Sequence, residues 1–77
     1  MAVYKDGTQV KVGDVVAGPG YDNHTVVGTV CSYQETPTSN MTIARMATIH
    51  EQDGARVVVP RGHDPAMATS KEFRKVA

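Results

Sequence analysis

The sequence predicts an all-β domain, a small five-stranded barrel with one short helical turn before its last strand. Three observations lead there. The 77-residue chain contains no leucine, whereas 22 positions are Val, Ile or Thr. Those side chains lose rotamer freedom in helices and pack well on a pleated surface. Seven Gly and four Pro punctuate the chain at the short intervals that turns between strands require. Apolar residues alternate with polar ones along Val10–Val12 and again along the middle of the chain, the period of half-buried strands. Residues 1–77 make one domain, with a thin core, because a chain this short buries only about 60% of its unfolded surface.

Lys5-Asp6-Gly7-Thr8 opens the chain with an Asp-Gly pair suited to a tight turn. Val10 and Val12 then point one face inward. Val12-Gly13-Asp14-Val15-Val16 reads as a bend followed by the first full strand. Ala17 to Asn23, with Gly18, Pro19 and Gly20, reads as a loop too rich in Gly and Pro to hold a ladder. His24 to Tyr33 is the second strand, with Val26, Gly28 and Val30 on one face and Val27, Thr29, Cys31 and Tyr33 on the other. Gly28 inside it marks a sharp bend or a close neighbour.

Gln34 to Asn40 is a polar loop. Met41 to His50 is the third strand, placing Met41, Ile43, Ala47 and Ile49 together and leaving Arg45 as a misfit. Asp53-Gly54 closes a hairpin into Arg56–Pro60, where Val57, Val58 and Val59 form the fourth strand. Arg61 to Pro65 is a loop. Helical character is confined to Ala66–Ala77: Ser70 to Phe73 suits a capped single turn, and Arg74-Lys75-Val76 a closing strand. The expected core is Val12, Val15, Val30, Ile43, Ile49, Val57, Val59 and Phe73, with Phe73 plugging one barrel end.

Val12-Gly13-Asp14-Val15-Val16, Val27-Gly28-Thr29-Val30 and Ser70-Lys71-Glu72-Phe73-Arg74-Lys75-Val76 occur in an order that resembles the SH3-like barrels, including the KOW-type family. The resemblance spans most of the chain in layout and about a dozen residues in detail. It implies architecture, because function resides in sites placed on such folds.

Composition excludes several functions. Eight Lys+Arg balance eight Asp+Glu, so the chain does not bind polyanions by bulk charge. One cysteine forms no internal disulfide. No apolar run approaches the roughly 20 residues of a membrane helix, and the start lacks the apolar segment of a secretory signal. A cytoplasmic protein without membrane contact is the expectation. The sequons Asn23-His24-Thr25 and Asn40-Met41-Thr42 are then chance matches.

No enzyme chemistry is expected. His24, His50, His63 and Cys31 lack the spacing of a zinc motif, so neither metal nor cofactor is expected. Cys31, mid-strand, reads as a small buried hydrophobe rather than a nucleophile. Glu51 and Asp53 sit at a hairpin tip, explained by solvation. Type II, plasmid-borne dihydrofolate reductases are SH3-like chains that build one active site at a tetramer centre, on a Val-Gln-Ile-Tyr strand. The matching strand here is Val57-Val58-Val59-Pro60, without the glutamine and tyrosine that grip the ligands. That activity is excluded.

Charge asymmetry is the remaining signal. Residues 1–40 carry net −2 and residues 41–77 net +2, and Arg56, Arg61, Lys71, Arg74 and Lys75 could share one face. Tyr21, in the glycine-rich loop, occupies a place where SH3-like domains contact partners. With no Trp and three Tyr, an aromatic groove for proline peptides is missing. The expectation is a non-enzymatic protein–protein binding module, of a size that suits a small accessory or inhibitor protein such as phages carry. Its candidate binding residues are Tyr21, Arg56, Arg61, Lys71, Arg74 and Lys75. A KOW-like nucleic-acid-binding domain using the five cations is the second reading, and a ligand site built by a homo-oligomer the third.

Overall fold

The computed structural model describes residues 2–20, 24–35, 40–52, 55–60 and 66–77, without the side chains of 51, 52 and 55. Six strands form one antiparallel sheet: β1 (Val15–Pro19), β2 (Thr25–Tyr33), β3 (Asn40–Gln52), β4 (Ala55–Pro60), β5 (Ala66–Thr69) and β6 (Arg74–Lys75). A single 3-10 turn, Ser70–Glu72, precedes β6, and it is the one helical element among the described residues. The strand order is β4-β3-β2-β1-β6, with β5 paired to the N-terminal part of β3. The fold is therefore all-β and barrel-like, with the short turn before the final strand as expected. Among the described residues hydrogen bonds do not close the sheet, so β4, β5 and β6 each keep an unpaired edge.

Residues 2–10 form an irregular hairpin ahead of β1. Val3 bridges Gln9, and Tyr4 and Thr8 are joined by a 2.8 Å backbone bond. Asp6 accepts a hydrogen bond from the Thr8 amide at 3.0 Å, and Gly7 supplies a φ of +88°, which side-chain-bearing residues adopt at a cost. The hairpin places Ala2, Tyr4 and Val10 wholly inside. It is fastened to the far end of the chain by Ser70 Oγ donating to the Val3 carbonyl (2.8 Å) and Lys5 N donating to the Phe73 carbonyl (3.0 Å).

The core joins Ala2, Tyr4, Val10, Val16, Val30, Met41, Ile43 and Phe73. Of the expected core residues, Val30, Ile43 and Phe73 are buried, and Val15 and Ile49 half-buried. Val12 is 63% exposed. It lies second in the Lys11–Asp14 turn, closed by Asp14 N donating to the Lys11 carbonyl at 3.2 Å, with Gly13 at φ +96° as a type II turn requires. Val57 and Val59 are 40% and 44% exposed. They pair with His50 and Thr48, but no described layer covers that end of the ribbon.

The segment expected to be a loop from Ala17 is instead strand β1 as far as Pro19, paired with Thr25–Thr29. Pro19 ends the strand, where a missing amide is tolerated. Gly18 is there because Phe73 is: a Cβ on Gly18 would lie 2.6 Å from the ring. Gly28 likewise leaves room for the Ile43 side chain. Ala66–Thr69, expected to carry helical character, pairs with Asn40–Ile43 as β5. Ser70 caps nothing; it is buried and bonded to Val3.

Two β-bulges set the faces of the long strands. Val27 pairs with Ala47 and Thr29 with Ala44, so Gly28 is opposed by both Arg45 and Met46. Arg45 takes a φ of 56° and points to solvent. The extra residue reverses the alternation. Met41 and Ile43 face inward before it, and Met46 and Thr48 after it, in place of the expected Ala47 and Ile49. The second bulge inserts Cys31 between the pairs Val30–Ile43 and Ser32–Thr42. It leaves Cys31 exposed and turns Tyr33 against the core.

Phe73→Ala is expected to cost about 3–5 kcal/mol by cavity formation, whereas Val57→Ala should cost under about 1 kcal/mol at its exposed position; thermal or urea melts compare the two. Thr48 Oγ1 is buried with no hydrogen-bond partner among the described residues. Removing an unsatisfied buried hydroxyl recovers its desolvation penalty, about 1–3 kcal/mol. Thr48→Val should therefore raise the melting temperature, and a lowered one would contradict the burial of that hydroxyl.

Candidate functional site

A buried carboxylate is the most constrained polar group in the described structure. Asp14 is 7% exposed, and its Oδ2 accepts from Tyr4 Oη at 2.6 Å and from Lys11 N at 3.0 Å. Lys75 Nζ, on β6, stands 3.6 Å from Oδ1. Burial alone pushes the Asp14 carboxyl upward; the Tyr4 hydroxyl, the Lys11 amide and the Lys75 charge outweigh it and hold the group below the usual carboxylate value. Tyr4 moves the opposite way. Burial, then the hydrogen bond to Asp14 and its negative charge, raise the phenol well above 10. An anionic Asp14 with committed oxygens is no general base. It holds structure.

The histidines are partly gathered. His24, leading into β2, and His50, on β3, stack with ring centroids 3.8 Å apart, because the adjacent pair Thr25–Ile49 aligns them. His63 lies outside the described residues. Among the described residues no group of three or more His, Cys, Asp or Glu is placed to hold a metal. Cys31 is exposed at its bulge rather than buried, and its thiol donates to the Thr42 carbonyl at 3.3 Å. The Glu51 side chain and Asp53 lie outside the described residues.

The candidate binding residues separate into groups. Tyr21 and Arg61 lie outside the described residues. Lys71, in the 3-10 turn, and Arg74 and Lys75, on β6, are exposed neighbours along the chain. Arg56 is exposed on β4, at the opposite end of the strand order from β6. Lys75 already faces Asp14, which offsets its charge.

Two apolar surfaces stand out instead. One is an open groove of about 520 Å³ between the end of β1, β3, β5 and the 3-10 turn, lined by Pro19, Val26, Ile43, Met46, Met67 and Phe73 among others. The other is β4. Val57, Val58 and Val59 are 40%, 61% and 44% exposed, so three consecutive valines meet solvent from both faces of a strand whose outer edge is unpaired among the described residues. Sequence reasoning found the valine run and placed Val57 and Val59 of it in the core, since a short apolar run has no periodicity to show which side is covered.

Comparison with protein-family models, with curated proteins and with solved structures finds no match to this chain. Among the described residues no helix is long and apolar enough to cross a membrane.

Disturbing the carboxylate should show in pH dependence. Asp14 is depressed in the folded state, so its contribution is present above the unfolded carboxylate value near 4 and is lost as pH falls through the folded one. Tyr4 is raised, so its contribution is full below about 10 and declines as pH rises past it. Tyr4→Phe should cost about 1.5–3 kcal/mol, the range for a hydrogen bond to a charged group. It should also shrink the loss of stability above pH 10, and denaturant melts at pH 7 and 10.5 check both.

Proposed function

We propose that this chain is a non-enzymatic protein-binding module built on an SH3-like barrel, and that β4 is its docking edge. The barrel type is supported by the strand order β4-β3-β2-β1-β6 and by the 3-10 turn before the last short strand. One observation carries the binding reading: Val57, Val58 and Val59 stand exposed together on an edge strand. Soluble proteins usually blunt such an edge with charge, proline or a covering element, because its free amides and carbonyls template pairing with another strand. Here Arg56 and Pro60 flank the valines without interrupting them. Strand addition to an open edge is an established mode of protein recognition, with main-chain bonds giving affinity and alternate side chains giving selectivity.

The nucleic-acid reading has less support. Arg56 is distant in strand order from Lys71, Arg74 and Lys75, and Lys75 is paired with Asp14. The half-buried Tyr33 packs against the core and Tyr4 lies within it, so neither offers an open ring face for base stacking.

Immobilised wild type and a Val58→Lys variant, each incubated with host extract, test the reading. The wild type should retain a protein that Val58→Lys loses at least tenfold, with little change between 50 and 300 mM salt. Duplex DNA should bind no tighter than about 10⁻⁵ M at physiological salt, the non-specific range. Capture unaffected by the lysine, or sub-micromolar DNA binding that weakens steeply with salt, would overturn the proposal.

A further inference from the structure

The edge of β4 that is unpaired among the described residues has a definite pattern of donors and acceptors. Pro60 pairs with Ala47 and has no N–H, so that pair is of the non-hydrogen-bonded kind, with the proline nitrogen turned away from β3. Antiparallel pairs alternate, so Val59–Thr48 and Val57–His50 carry the bonds to β3, whereas Val58–Ile49 and Arg56–Glu51 do not. The amides of Arg56 and Val58 and the carbonyls of Arg56, Val58 and Pro60 therefore face outward.

That pattern is self-complementary. Resting on the reading of β4 as a docking edge, we propose that its partner is a second copy of this chain, with the two β4 strands antiparallel about a two-fold axis at Val58. Val58 then exchanges two backbone bonds with the other copy's Val58. Each Arg56 amide donates to the opposite Pro60 carbonyl, whereas the Arg56 carbonyl, opposite a proline without an N–H, is left to solvent. Val57 of each copy meets Val59 of the other in close, non-hydrogen-bonded pairs, which suit β-branched side chains.

Charge selects this register. An axis at Val57 would form as many backbone bonds but set the two Arg56 residues diagonally, about 7–8 Å apart. The axis at Val58 separates them by four residues, roughly 13 Å along the strand and beyond the screening length of about 10 Å at 0.1 M salt. β4 carries no acid, and the chain has zero net charge, so two copies approach without net repulsion. The paired surface is small beside that of permanent dimers. The association should be weak and concentration-dependent.

Sedimentation equilibrium of the purified chain, from about 10 µM to 1 mM, tests this in the range expected of a small interface. The wild type should pass from monomer toward dimer. Val58→Pro removes an outward amide and none bonded to β3, and Val58→Lys adds charge at an exposed position; each should weaken dimerisation at least tenfold with an unchanged far-UV spectrum. Arg56→Ala, which removes the charge and keeps the edge, should dimerise as well as the wild type or better, and covers the case in which the Val58 variants fail to fold. A wild type monomeric at 1 mM overturns the proposal, as does a dimer indifferent to both folded Val58 variants. If the wild type is monomeric while extract capture still depends on Val58, self-pairing is wrong and β4 receives a foreign strand.

Discussion

The carboxylate of Asp14 ties together three parts of the chain, from the N-terminal hairpin to the last strand. An ionised group with so little solvent must be met by hydrogen bonds or it costs several kcal/mol. Its partners come from three places: the N-terminal hairpin through Tyr4, the turn before β1 through the Lys11 amide, and β6 through Lys75. Each fixes more than itself. Tyr4 carries the hairpin's largest side chain into the core, and the Lys11 turn needs Gly13 at positive φ. Lys75 holds a two-residue strand that pairs with Val16 and Ala17. In a domain of thin core, a satisfied polar hub specifies where the apolar parts go.

The sequence pattern carried the strands and lost the faces beyond the bulges. Val26, Gly28 and Val30 alternate cleanly and share one face as read, with Val30 in the core. Beyond Arg45 the reading of β3 fails by one residue, because a bulge changes backbone register without changing the run of apolar side chains. Arg45 had already signalled it, as a charge at an inward position. Cys31 gave no such signal, being small and acceptable on either face. The part of β1 beyond Val16 was hidden by Gly18 and Pro19, which oppose strand formation locally but serve the Phe73 ring and the strand end here.

The candidate surface was legible in composition and not in exposure. Val57-Val58-Val59 is a strand by any reading, but only the sheet order shows that, among the described residues, it is an edge with no layer above it. The basic residues show the converse. Their clustering in the second half of the sequence is plain, yet the fold sends Arg56 to one end of the strand order and Lys75 to Asp14 at the other. Lys71 and Arg74 stay exposed beside Lys75, whereas the apolar edge of β4 offers backbone groups, and strand pairing is the chemistry such an edge supports.

The contacts between the hairpin at residues 2–10 and residues 70–77 also govern how the chain reaches this structure. Ser70 reaches back 67 residues to Val3, the Phe73 carbonyl receives the Lys5 amide, and Val15 exchanges bonds with Ala77. Such contacts close the longest loops the chain can make, and loop closure must precede the stabilisation it brings. The Phe73 ring, which fills the space Gly18 leaves, and the countercharge for Asp14 both arrive with the last of these residues. During synthesis the β2–β3–β4 meander can pair early, but the core stays open and the carboxylate half-satisfied until residues 70–77 are free. For that interval the valine edge of β4 belongs to an unfinished chain, and folding has to outrun its pairing with neighbours.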